Sequence, residues 1–379
     1  MRLAAGLFGA AILFLEEMSI IQSFKTNAKC CRRVLNGKSV RLRSTSEHNM
    51  EAMFNVYYND VYEVQLPPKH RFPMEKYRKV RMIAQSEIEK INDSNITRFI
   101  KSPLATFEEL ATTHSEEYIR RFLTGDQTER EQRNVGFPWS KQGVDRALSS
   151  VGGTLAATID VCDALKLKKR NQNSLNENFL FWGAHVAGGT HHAFYDYGEG
   201  FCVFSDIAVA ANVALEKYPD VVKRIAIIDL DVHQGNGNAR LFANNDNVFT
   251  FSLHCRENIF SRPEVSDLDI ELPAECTDAT YLQTLQYWLK RIFSSSSFDL
   301  VFFQAGIDIV EDDRLGKLNI SRKGIEKRNE FVYRYAFDYS VPLIITMGGG
   351  YPKGNWEPIL NAHADVYIGA HKFMMSKFD

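Results

Sequence analysis

Five apolar, β-rich runs do most to limit what this chain can fold into. They cover residues 179–186, 224–232, 248–254, 300–308 and 341–350. Each is continuously apolar rather than alternating, as strands are when both faces are covered. Helical patterns lie between them, over residues 207–217, 279–293 and 322–337. This alternation predicts an α/β fold in a single domain, with a mainly parallel central sheet flanked by helices on both faces. In such sheets the chemistry sits beyond the carboxyl ends of the strands. Polar residues gather at that end of all five runs. His191 and His192 follow the first, and Asp229, Asp231 and His233 close the second. Ser252 and His254 close the third, Asp308 closes the fourth, and Gly348-Gly349-Gly350 leads from the fifth to Tyr351. Core packing alone does not explain that distribution.

Composition narrows the function classes. A net charge of −2, with 45 Lys and Arg against 47 Asp and Glu, lacks the basic footprint of a direct nucleic-acid binder. Any tie to chromatin would run through protein partners, such as a corepressor, or through a protein substrate. The six cysteines form no CxxC pair, so they read as free, mostly buried thiols in a reducing compartment. No repeat of 20–50 residues is visible. Residues 165–178 are polar and read as a surface loop, whose KLKKR run is a solvated face or, alternatively, a nuclear signal.

Residues 1–50 stand apart as an N-terminal extension, with the catalytic domain expected over 51–379. Arg2 precedes an apolar run too short to span a bilayer comfortably. A basic, Ser/Thr-containing stretch follows, which fits an organellar presequence or a disordered leader. Location in an organelle is thus one expectation, beside nucleus or cytoplasm, and no membrane span is expected.

The strand-end residues suggest a specific chemistry. Side chains two apart on a strand share a face, so Asp231 and His233 can meet one metal ion. Asp308, from another strand end, can supply a third ligand. Three N/O ligands with an open fourth position describe a catalytic zinc site, and the same donors suit Fe²⁺. The plainer reading is a pair of strand-end residues capping a helix. His191 and His192 follow Gly188-Gly189-Thr190, where adjacent imidazoles can offer an acid and a base beside one metal. Tyr351, after its glycine run, can donate to an oxyanion. The string His233-Gln234-Gly235-Asn236-Gly237 lacks the GxGxxG spacing and the Lys of a nucleotide loop.

Four ordered strings, GGTHHAFYDYGEGFCVFSDIAVA, IIDLDVHQGNGNA, FQAGIDIVEDDRLGKLNIS and MGGGYP, resemble the histone deacetylase family, with its arginase/deacetylase fold. DLDVHQGNG and the third string look most like class IV deacetylases and their bacterial relatives, and LPPKHRFPMEKY looks like the bacterial ones. The resemblance implies zinc-dependent hydrolysis of acyl-lysine, acetyl or longer, on histones or other proteins. It implies Zn²⁺ on Asp231, His233 and Asp308, His192 as general base, and His191 as its partner acid or electrostatic stabiliser. Tyr351 would polarise the acyl carbonyl and Asp229 would orient His191. Gly200 and Phe201 would line the acyl-lysine tunnel, with Arg71 at its inner end where the acid departs. A structural K⁺ would be held by the side chains of Asp229, Asp231 and Ser252 and by carbonyls including those of His233 and Leu253.

One departure stands out. Where the class I pattern has a second Asp to orient the second histidine, this chain has Asn236, which makes His192 less basic than a His–Asp pair would be. Residues 255–263 should form part of the tunnel rim. Among rivals, a two-manganese ureohydrolase of the same fold would need a carboxylate two residues after Asp308, where Val310 stands. A deacetylase of small acetylated polyamines shares the core site. A catalytically inactive acyl-lysine-binding scaffold would be expected to have lost a ligand or the Tyr, and all are present.

Overall fold

The computed structural model describes residues 51–68, 70–91, 96–170 and 179–377. The N-terminal extension, with Cys30 and Cys31, lies outside the described residues, as does 171–178. Eight strands form one sheet: β1 (Glu51–Tyr58), β2 (Thr97–Lys101), β3 (Phe179–His185), β4 (Ile225–Asp229), β5 (Val248–Cys255), β6 (Leu268–Leu272), β7 (Leu300–Gln304) and β8 (Leu343–Thr346). Their order is β2-β1-β3-β8-β7-β4-β5-β6. Every neighbouring pair is parallel, so all strands deliver their carboxyl ends to one side. Ten helices are described: α1 (Lys76–Ile91), α2 (Phe107–Ala111), α3 (Glu116–Thr124), α4 (Glu129–Val135), α5 (Lys141–Arg170), α6 (Asp206–Lys217), α7 (Asn236–Phe242), α8 (Asp278–Ser295), α9 (Arg322–Asp338) and α10 (Glu357–Met375). None of them is long and apolar enough to cross a membrane.

The continuous apolar runs are explained by two cores, one on each face of the sheet. Ala226, Ile228, Val301, Phe303, Leu343 and Ile345 face a core shared with α1, α8, α9 and α10. Their alternates Ile225, Ile227, Leu300, Phe302 and Ile344 face a second core shared with α3, α5 and α6. A strand with period 2 and apolar cover on both sides has no polar position left.

Three local readings change. The ladders of β4, β7 and β8 stop at Asp229, Gln304 and Thr346, short of the ends of their apolar runs. The runs continue because Leu230, Val232, Ala305 and Ile307 in the following loops are fully buried, which hydropathy does not distinguish from a strand. Residues 165–170 are the last turns of α5 rather than loop. Lys168, Lys169 and Arg170 there are well placed against the negative end of the helix dipole. The strands β1, β2 and β6 add to the five runs. Two of them, β2 (TRFIK) and β6 (LDIEL), are short outer strands rich in charge, as sheet edges commonly are.

Candidate active site

The strand ends of β3, β8, β7, β4 and β5 are neighbours in the sheet, and their loops converge on one bowl. Asp231 and His233 lie in the bend just after β4 rather than on its pleat, so loop hydrogen bonds orient them. Asp231 Oδ1 accepts from the His233 amide at 3.1 Å, and its Oδ2 accepts from Gly349 N at 2.8 Å. Asp308, beyond β7, accepts from Val232 N at 2.9 Å. His233 Nδ1 lies 3.2 Å from both Asp231 Oδ1 and Asp308 Oδ2. One ligand atom from each of the three lies within 4.8 Å of the others, the grouping that a single metal ion requires.

Charge supports that fit. Both carboxylates are essentially inaccessible, at 0–1 % exposure. Burial and the neighbouring Asp231 push Asp308 up to about 7. His191 and His233 outweigh burial to hold Asp231 well below the usual carboxylate range. Against its own burial, hydrogen bonds to Asp231 and Asp308 carry His233 up to about 10. The cluster therefore attracts positive charge strongly, and two hard oxygens with one imidazole nitrogen suit Zn²⁺ or Fe²⁺.

Beneath the cluster lies Arg328 of α9, wholly buried. Its guanidinium donates to the carbonyls of Gly306 (2.5 Å), Ala305 (3.3 Å) and Leu230 (3.5 Å), and to Asn329 Oδ1. These carbonyls belong to the two loops that carry Asp231 and Asp308.

The histidine pair is set by the turn after β3. Gly188 and Gly189 both adopt positive φ, at 72° and 75°. The left-handed region suits glycine, and a Cβ on either would run into Asp206 or Gln304. The buried carboxylate of Asp206 accepts from Gly189 N (2.9 Å), Thr190 N (2.7 Å), Thr190 Oγ1 (2.6 Å) and Thr154 Oγ1 (2.6 Å). The turn is rigid as a result. His191 and His192 leave it with ring centroids 3.9 Å apart. His191 Nδ1 meets Asp229 Oδ2 at 2.7 Å, and His192 Nδ1 meets Asn236 Oδ1 at 2.7 Å. Burial works against both charged forms, but Asp229 and Asp231 overcome it and raise His191 to about 9. His192, lacking a carboxylate partner and facing His191 and His233, is lowered well below the usual imidazole range by burial and those charges.

Tyr351 is buried in the lining of the same cavity as the histidine pair. Its amide donates to Asp313 Oδ2, and its ring packs near Phe72 and Phe201. Burial and the nearby Asp308 and Asp231 hold its phenol well above 10, so it remains an O–H donor. Gly200 and Phe201 line the cavity, both with positive φ. Phe201 is one of few non-glycine residues strained in this way, as is common beside ligand sites.

The cavity measures about 990 Å³ with its open mouth. Its lining also includes Phe122, Val135, Trp139 and Arg146. Arg71 does not take the position expected of it. It is exposed, outside the cavity wall, with its guanidinium 5.2 Å from the Phe201 ring centroid. In the KHRFP string it is Phe72 that turns inward. The cations on the cavity wall are Arg146 and Lys76. Lys76 Nζ is buried under Tyr351 and donates to the carbonyls of Gly348 (3.3 Å) and Gly350 (3.2 Å). Burial brings it down to about 8. The register sets Asp229 beside Ser252, with Leu253 next along β5, so three of the five expected monovalent-cation residues lie on adjacent strands. Ser252 Oγ meets His254 Nδ1 at 2.9 Å.

The family model of the histone deacetylase domain matches residues 70–367, which take in every site residue named above. The chain belongs to the histone deacetylase family. This family member is 36 % identical over 316 residues to an uncharacterised protein of Picosynechococcus sp. strain PCC 7002, covering 83 % of this chain and 95 % of that one. It is 31 % identical over 227 residues to histone deacetylase 2 of Arabidopsis thaliana, covering 59 % of this chain and 52 % of that one. In fold, the histone deacetylase family member matches the crystal structure of a histone deacetylase homologue complexed with SAHA. There the TM-score is 0.66 at 22 % identity, with 85 % of this chain and 84 % of that one covered. The HDA15 deacetylase domain matches with a TM-score of 0.64 at 20 % identity, covering 85 % and 90 %. Asp206, Arg328, Lys76 and Arg146, with Glu199, which accepts from Asn236 Nδ2 at 2.8 Å, are residues around the site that sequence reasoning did not single out. Asp206 and Glu199 do lie inside the GGTHH string that carried the resemblance.

Proposed function

We propose that this chain hydrolyses the amide of acylated lysine side chains on proteins, with Zn²⁺ held by Asp231, His233 and Asp308. The observation that carries this reading is the convergence on one cavity of that ligand cluster, two histidines driven to opposite proton affinities, and a buried phenol. Divergent proton affinities in a neighbouring pair are how one site assigns base and acid. Bound there, zinc would supply Lewis-acid polarisation of the acyl carbonyl and make water a competent nucleophile at neutral pH. His192, held neutral, takes the proton of the attacking water. Tyr351 donates its O–H to the oxyanion that forms. His191, held cationic by Asp229, stabilises the negative charge of that step, and the pair returns a proton to the departing lysine amine. A K⁺ ion at Asp229, Asp231, Ser252 and the carbonyls of His233 and Leu253 would brace the strand ends.

Phe122, Val135, Phe137 and Trp139, apolar side chains in the lining of the same cavity, support acyl groups longer than acetyl as substrates. The test is hydrolysis of matched acetyl-lysine and long-chain acyl-lysine peptides by purified protein, with and without a chelator. Chelator-sensitive release is expected. No release from fully metallated protein would overturn the reading.

A further inference from the structure

The amide of Asn236 has an ambiguity that a carboxylate lacks. Turned by 180°, it would present N–H groups to His192 and force the opposite tautomer. Two contacts decide which way it faces. The Gly237 amide donates to Asn236 Oδ1 at 3.0 Å. On the other side, Asn236 Nδ2 lies 2.8 Å from Glu199 Oε1, and a carboxylate can only accept. The oxygen of Asn236 therefore faces His192, His192 carries its proton on Nδ1, and its Nε2 lone pair is free toward the cavity.

Glu199 is itself held from the rim. Its Oε2 accepts from Ser261 Oγ at 2.9 Å. Its backbone sits in a turn whose next two amides, Gly200 N and Phe201 N, donate to the carbonyls of Asn134 and Val135. Phe260, beside Ser261, stands edge-on to His192 with centroids 4.6 Å apart. The rim segment thus touches His192 twice, once through the Phe260 ring and once through the chain Ser261–Glu199–Asn236.

We propose that Glu199 is a positioning residue for the general base. It selects the amide orientation of Asn236, and so the tautomer of His192, and through Ser261 it links that selection to the seating of the rim. Glu199 touches no reacting atom. The inference rests on the reading of His192 as the base.

The test compares Glu199→Ala, Glu199→Gln, Asn236→Asp and the double variant Glu199→Gln/Asn236→Asp on an acyl-lysine peptide, with metal content measured in each. Glu199→Ala is expected to lower kcat about 10- to 100-fold, with KM and metal content little changed. Asn236→Asp alone should also be impaired, because it sets two carboxylates in hydrogen-bond contact. In the double variant the glutamine amide can donate to the new carboxylate, and kcat should recover well above either Glu199→Gln or Asn236→Asp alone. A merely structural role for Glu199 predicts no such rescue. Wild-type kcat in Glu199→Ala, or a double variant no better than the worse single one, would overturn the proposal. A second readout stands apart from turnover. In ¹⁵N-histidine NMR of metal-free protein, wild type should show His192 as the Nδ1–H tautomer and Glu199→Ala a mixture. If wild type turns over no acyl-lysine peptide, the functional reading fails, while this spectrum still decides the positioning claim. An unchanged tautomer in Glu199→Ala would sink it.

Discussion

His191 and His192 are adjacent in the chain with their rings 3.9 Å apart, yet one hydrogen-bonds a carboxylate and the other an amide. That difference drives their proton affinities apart, with His191 raised to about 9 and His192 lowered. A base must be neutral to act, so His192 stops serving as one only as pH falls through its lowered value. The acidic limb of kcat/KM should therefore lie below about 6.5, the unperturbed imidazole value. A limb at or above that value would contradict the arrangement.

Replacing Asp231, His233 or Asp308 with Ala should abolish metal binding and turnover together, since each offers one of the three clustered donor atoms of the proposed site. Elemental analysis of the purified variants checks the first and peptide hydrolysis the second. Stripping metal from the wild type should lower its Tm. Metal at a hundred times its Kd contributes about 2.7 kcal/mol of folding stability, which disappears with it.

Tyr351→Phe removes one donor and leaves the ligands untouched. Metal content should stay at the wild-type level, while kcat falls by about 10²- to 10³-fold, or roughly 2.7–4 kcal/mol in the barrier. Loss of metal in this variant would place the phenol in a different role.

Gly200→Ala tests the tunnel wall. Gly200 has φ 57°, and an added Cβ would come within 2.8 Å of Phe260 Cζ and 2.9 Å of His192 Cδ2. The left-handed backbone costs an alanine about 1–2 kcal/mol. Phe260 is exposed and can swing aside, but His192 cannot. A modest drop in Tm with a disproportionate loss of kcat is expected. Equal kcat would show that His192 tolerates displacement.

Buried imidazoles outside the cavity, His114 and His185 among them, erode stability in acid. His114 donates from Nδ1 to the Phe194 carbonyl and accepts the Ser205 amide on Nε2, so protonation breaks a bond. Burial lowers it to about 4, and lowers His185 to about 3. Below about 6.5 the unfolded chain takes up protons that the folded one refuses. Each residue then removes about 1.4 kcal/mol of stability per pH unit until its folded value is reached. Denaturation midpoints between pH 7.5 and 5 should fall accordingly. A flat profile would mean that these rings are not held neutral.

The fold was legible because strands covered on both faces leave an unbroken apolar record, and because parallel strands must end on one side. The converging residues were legible for the same reason: Asp231, His233, Asp308, His191, His192 and Tyr351 each follow a strand. What hydropathy could not reveal were supports reached across long separations. Lys76 meets Gly348 and Gly350 more than 270 positions later, and Arg328 reaches back to Leu230. Arg71 illustrates the converse. The KHRFP string holds a cation, but Phe72, Pro73 and the Met74 that follows are the residues buried there and Arg71 stays in solvent.

Arg328 gives the bowl a keystone made of polypeptide. Its planar fork of donors clasps the carbonyls of both ligand-bearing loops from below, so the cage holds its span by hydrogen bonds that no ion makes. Swapping one divalent ion for another then becomes an exchange at three side chains rather than an act of refolding.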